Sequence, residues 1–215
     1  MDEFLKRYPL LKNQNVPRET LIIFESFIIM LQKRNQEINI ISKESAKIEV
    51  IRERHIVDSA QIIDFIDLNS NIITDIGSGG GMPGIIISIM IKNMKKKAKI
   101  HLYEKSHHKC TFLRNVSRDL KLNTEIQEKN IFEEKNLESG TIMARAFKPL
   151  PIVLDLVNKN FNNYKNLILF MGKNGEVILK ETLKNWDFDY EKKKSITSEG
   201  SFILNIKNIK RKIKN

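Results

Sequence analysis

The 215-residue chain has a single cysteine, Cys110. One thiol cannot close an intramolecular disulfide, and it leaves no cysteine cluster for zinc, so no metal site is expected. Long apolar runs are missing too. The longest, such as 21–24 and 85–91, fall far short of the roughly 20 residues that span a bilayer, so no membrane partner is expected. The start, Met1-Asp2-Glu3, lacks a basic segment of the secretory type. Together these absences point to a cytoplasmic chain. Acidic residues are in deficit, with 26 Asp and Glu against 37 Lys and Arg and a net charge of +11. The deficit is local. Residues 1–70 carry ten basic and eleven acidic residues, whereas 71–215 carry twenty-seven and fifteen. A basic region of this kind suits a polyanionic partner. Lys, Asn and Ile are abundant throughout, as an A/T-rich genome would produce, so charge alone leaves that partner open. A hydrophobic content of 41% and a charged content of 29% describe a soluble globular protein.

Glycine is scarce, with nine in all, yet five fall between Gly77 and Gly84. They stand between an apolar β-prone segment, 71–74, and the apolar run 85–91. This is the join of a buried strand to a helix. Glycines there let the backbone turn sharply and approach a ligand without a Cβ in the way. Pro83 suits the first turn of a helix, whose free N–H groups face a polar or anionic ligand. The loop ends Met82-Pro83-Gly84, not Gly-Lys-Ser/Thr, which excludes a P-loop. A dinucleotide fingerprint fits one frame, Gly79, Gly81 and Gly84, with Glu104 about twenty residues on as a ribose-binding acid. Asp75, at the strand's end, favours a different reading. An acid followed by G-x-G-x-G resembles the first motif of S-adenosylmethionine-dependent methyltransferases, whose cofactor carries an ammonium and a sulfonium and no pyrophosphate.

Hydrophobic spacing predicts an amphipathic helix over 18–37, with Leu21, Phe24, Phe27, Ile28 and Leu31 on one face, and one or two helices over 44–67. From 71 the pattern alternates. Strands are expected at 72–75, 99–103, 124–127, 141–145 and 167–171, with helices at 83–95, 105–120 and 150–158 between them. This is a parallel α/β sheet. A helix at 175–183 follows, then two strands, 188–192 and 201–206, joined at Ser198-Glu199-Gly200. The fold class is a Rossmann-like sheet closed by a C-terminal antiparallel strand pair. It divides into an N-terminal helical segment (1–70), a cofactor domain (71–206) and a basic tail (207–215). Ligands of open α/β sheets bind at the carboxyl ends of the strands. That rule collects Asp75 to Met82, Glu104, Asn130 to Phe132, Arg145, and Met171 to Asn174.

These residues, with Asn39-Ile-Ile-Ser, Arg54-His55-Ile-Val-Asp58-Ser59, Lys109, Phe112-Leu113, Arg145-Ala-Phe147 and Gly172-Lys173-Asn174, occur in an order and spacing that resembles one family. It is the bacterial 16S ribosomal RNA guanine-N7 methyltransferases, also called glucose-inhibited division protein B. The resemblance covers roughly 18–205. It implies S-adenosylmethionine as cofactor, 16S ribosomal RNA or the small ribosomal subunit as partner, and a monomeric enzyme. It places cofactor contacts at Gly77, Met82, Ile131, Phe132 and Arg145. Asp75, Gly79 and Glu104 join them through the loop argument. Arg145, Asn39 and His55 are implied on the substrate side. One departure stands out, since the family reads Lys-Gly after the fifth strand and this chain reads Met171-Gly172, with Lys173 next to it. Two other classes remain for the residues taken alone. One is a nicotinamide-dependent dehydrogenase, for whose substrate domain little chain is left. The other is a non-catalytic RNA-binding protein resting on the basic tail.

Overall fold

A computed structural model describes residues 6–14 and 16–213. The Met1-Asp2-Glu3 start and the last two residues of the basic tail lie outside the described residues. Helix α1 spans Arg18–Glu37, and a helical stretch over 48–60, α2, follows it. The middle of α2, Ile51–Val57, is wound as a π-helix. Seven strands then form one sheet: β1 (Ile72–Ile76), β2 (Lys99–Glu104), β3 (Thr124–Glu128), β4 (Leu137–Ala144), β5 (Phe161–Met171), β6 (Trp186–Lys194) and β7 (Phe202–Arg211). Between them lie α3 (Gly84–Asn93), α4 (His107–Asp119), α5 (Leu150–Asn160) and α6 (Gly175–Thr182).

The sheet order is β3-β2-β1-β4-β5-β7-β6. The first five are parallel neighbours, and β7 pairs antiparallel with both β5 and β6. Strand order reverses between β1 and β4, so a crevice opens at their carboxyl ends. Alternating side chains divide the core between the two faces. On one face, α1, α3 and α4 cover Ile73, Ile100, Leu102 and Met143. On the other, α5 and α6 cover Ile76, Ile142, Ala144 and Leu204. The run 85–91 is buried throughout because α3 lies between the sheet and α1, and a helix enclosed on both sides is apolar all round. Among the described residues no helix is long and apolar enough to cross a membrane.

The expected helix over 18–37 agrees with α1 in both bounds, and its five predicted core residues are fully buried. Three predicted edges move by four residues or more. The strand expected at 141 begins at Leu137, and the one expected at 167 begins at Phe161. The added residues include Asn162, Asn163 and Asn166, poor strand formers that cross-strand hydrogen bonds hold in place. Buried Asn166 accepts from Thr141 Oγ1 (2.9 Å) and donates to the Phe65 carbonyl (2.9 Å) and Asn205 Oδ1 (2.7 Å). The last strand was expected to stop at 206 and runs to Arg211, so 207–211 belong to the sheet. Its alternation breaks at a bulge, where Asn208 takes a φ of +54° and donates to Asp189 Oδ2 (2.6 Å).

Asn166→Ala should cost about 2–4 kcal/mol in urea unfolding, because it removes three hydrogen bonds of a buried side chain at once. A loss under about 0.5 kcal/mol would show that water replaces the amide without penalty.

Candidate functional site

The turn from β1 into α3 is assembled from backbone groups that neighbouring strands hold. Gly77 and Ser78 N–H both donate to the Tyr103 carbonyl at the end of β2 (2.9 and 3.0 Å). Gly79 N–H donates to Glu104 Oε2 (3.0 Å), whose other oxygen accepts from Ser106 N–H (2.8 Å). Gly77 has a φ of +71°, and a Cβ on it would overlap the Phe147 ring, so glycine is required there for conformation and for space. Beneath the loop, fully buried Asp75 accepts from Gly84 N–H (3.0 Å) while its Oδ1 has no partner. Burial pushes this carboxyl up to about 7, against the opposing pull of the Gly84 and Ser78 hydrogen bonds. Asp75 takes up the first amide of α3 from below, which leaves that N–H unavailable to a pyrophosphate and disfavours the dinucleotide frame.

Over the carboxyl ends of β1 and β2 lies a cavity of about 550 Å³. It brings together six of the predicted cofactor contacts: Gly77, Gly79, Glu104, Ile131, Phe132 and Arg145. Phe132 stacks on Phe147 at 5.9 Å and 22° across this cavity. Asp75 and Met82 are not on its wall. Asp75 lies under the loop, and Met82 and Ile40 flank the space beside Gly80. Asn39 is exposed. It adjoins Ile40 and Ile41, whose N–H groups Asn35 Oδ1 accepts (2.8 and 2.9 Å).

A second cavity, of about 610 Å³, opens over the ends of β4 and β5. Arg145 is the charged side chain that borders both. Its Nη2 donates to the Arg54 carbonyl, its Nε faces Asp58 Oδ2 at 3.3 Å, and its guanidinium lies 5.7 Å from the Phe170 ring centre. Burial lowers its pKa, while Asp58 and Asp75 oppose the shift. His55 is half-buried, and both its ring nitrogens are buried without partners. Burial first, then the charges of Arg145 and Arg54, push it down to about 4, so it is neutral near pH 7. Asp58 and Phe147 lie within the sequence motifs, but the motifs do not disclose their structural roles here. Only their long-range partners, Arg145 and Gly77, reveal them. Lys173, beside the Met171 departure, lines the second cavity.

The chain matches the family model described as rRNA small subunit methyltransferase G over residues 21–206. It is 79% identical over 212 residues to the ribosomal RNA small subunit methyltransferase G of Pelagibacter ubique, covering 99% of this chain and 100% of that one. The protein of the same description from Ruegeria sp. is 32% identical, covering 92% and 95%. Among solved structures, the chain is similar to the 16S rRNA methylase RmtB (TM-score 0.52, 12% identity, 94% of this chain and 80% of that one). It is also similar to a SAM dependent methyltransferase from Aquifex aeolicus (TM-score 0.53, 12% identity, 70% and 89%). At such identities the structural likeness shows the fold.

The buried carboxyl has a pH signature. Asp75 has a folded pKa raised from 3.8 to about 7, so between those values the native state holds a proton that the unfolded chain has lost. Its contribution to stability therefore falls as pH rises from about 4 to 7. His55, lowered from 6.5 to about 4, acts in the opposite sense, destabilising as pH falls through that window. Asp75→Asn should become more stable relative to the unaltered protein as pH is raised from about 4 to 7 in urea unfolding. A pH-independent difference would show that Asp75 titrates normally.

Proposed function

The chain belongs to the rRNA small subunit methyltransferase G family, and on that premise we propose that it methylates N7 of a guanine in 16S ribosomal RNA, using S-adenosylmethionine and working as a monomer in the cytoplasm. The observation that carries this reading is the position of Arg145, between the glycine-loop cavity and the second cavity.

The glycine-loop cavity fits the methyl donor. Its lining combines the glycine-loop backbone, the Glu104 carboxylate, an apolar wall of Ile131, Phe132 and Phe147, and the cations Lys105, Lys109, Lys129, Arg145 and Lys148. Glu104 would hold the ribose hydroxyls; each oxygen accepts one N–H already and keeps a further lone pair. Ile131 and Phe132 would pack against the adenine, with Phe147 backing Phe132. When bound, the cofactor supplies a methyl group made electrophilic by its sulfonium.

Guanine N7 has a free lone pair and no proton, so the chain needs no general base. Its task is to hold the base in line and close to the methyl carbon. Arginine matches the O6 edge of guanine, and Arg145 is already oriented by Asp58 and Phe170. The base gains positive charge as the methyl arrives. His55 stays neutral near pH 7, so it adds no repulsion. Asn39, exposed at the edge of the segment that packs on the loop, is placed to meet the RNA.

Calorimetry and methylation of 30S subunits test the reading. The chain should bind S-adenosylhomocysteine and give no heat with NAD. Arg145→Ala should lower kcat/KM by about 100-fold or more, with S-adenosylhomocysteine binding reduced far less. Glu104→Gln should instead weaken S-adenosylhomocysteine binding by about tenfold. Full activity of Arg145→Ala would show that the arginine is only a structural ion-pair partner.

A further inference from the structure

The second cavity has a roof, and the roof is tied to Arg145 through one carboxylate. The roof is the turn between β6 and β7, with Ser195, Thr197 and Ser198 facing the space. Asp58, directly after the π-wound turn of α2, accepts from Thr197 Oγ1 (2.8 Å) and Gln61 Nε2 (2.7 Å) on Oδ1. Its Oδ2 faces Arg145 Nε (3.3 Å). Gln61 clamps the same turn from behind. Its Oε1 accepts from Ile196 N–H (3.1 Å), and its carbonyl accepts from Lys193 Nζ (3.0 Å). Thr197, Asp58 and Arg145 thus form a continuous chain from the roof to the wall shared by both cavities.

The lining describes a ligand. Phe170, Met171, Phe202 and Ile203 provide an apolar surface, while Arg54 and Lys173 stand exposed at the margin. A Cβ on exposed Gly172 would meet nothing within 4 Å beyond its chain neighbours, so the cavity wall is open at that point. An apolar slot with cations at its edge suits a planar base flanked by phosphates. The volume, about 610 Å³, is within the range of about 300–1,000 Å³ of small-molecule sites. The π-wound segment adds a second indication, since such turns are frequent at functional sites.

Building on the methyltransferase reading, we propose that this cavity receives the acceptor guanine nucleotide, and that Asp58 is the positioning residue that sets Arg145 against it by tying it to the roof. Arg145 Nε is committed to Asp58 and Nη2 to the Arg54 carbonyl. The guanidinium plane is then fixed, and its remaining N–H groups are held for O6 of the base. Loosening the tie leaves the cofactor side intact and blurs the placement of the acceptor.

The test uses the full chain, S-adenosylhomocysteine calorimetry, kinetics on 30S subunits and small-subunit rRNA containing photoreactive 6-thioguanosine. Thr197→Val removes the roof hydroxyl without touching charge, and Thr197→Ser restores it. Thr197→Val and Asp58→Asn should keep S-adenosylhomocysteine affinity within about twofold and lower kcat by about 10- to 100-fold, with Thr197→Ser near the unaltered rate. Crosslinks in the unaltered protein should map to 170–173 or 195–203. Unchanged kinetics in both variants, or crosslinks confined to other segments of an active protein, would overturn the proposal. Failure of the unaltered chain to bind S-adenosylhomocysteine would bring down the methyltransferase reading, and this proposal with it.

Discussion

Everything at the site depends on how β1 turns into α3. Within 77–83 the chain must leave the sheet, present its amides and start a helix. Three contacts from outside the loop hold it: Tyr103 carbonyl on Gly77 and Ser78, Glu104 on Gly79, and Asp75 on Gly84. The first two depend on the parallel pairing of β1 with β2, which sets Ile76 opposite Tyr103, and the third comes from β1 itself. The loop is therefore preorganised by the sheet. A preformed loop keeps the ordering cost out of ligand binding.

Electrostatics then separates the two sides of the crevice. Asp75 is buried with one orphaned oxygen and a raised pKa, and it acts on the loop from below. Arg145 stands where strand order reverses, with Asp58 as its counter-charge and Phe170 beneath it. His55 is kept unprotonated by burial first and then by the charges of Arg145 and Arg54. Lysines also line the glycine-loop cavity, and a surplus of lysine and arginine suits a polyanionic partner, whose long-range attraction needs proximity to phosphate but no precise geometry.

Much of this was legible along the chain. The helix over 18–37 could be read to the residue because its apolar face repeats every three to four positions. The glycine loop could be read because close backbone approach demands glycine. Gly77, Glu104 and Arg145 could be gathered because they all fall at strand ends. The first halves of β4 and β5 were not legible. Asn166 sits in a strand only because Thr141, Phe65 and Asn205 satisfy its amide, and those partners are distant in sequence. The end of β7 was hidden by the bulge at Asn208.

The sequence by itself determined the order of strands and helices, the cofactor loop and the excess of positive charge. These rest on local rules: the period of hydrophobic side chains, the freedom of glycine, the count of charges. Only the tertiary structure decided which chemistry-bearing residues meet. It put Asp75 beneath the loop instead of on the cavity wall, set Asp58 between Arg145 and Thr197, and made Phe147 the reason Gly77 must be glycine. Such pairings are set by sheet order and crossover, which bring together groups 70 to 140 residues apart in the chain, and no local periodicity records that distance.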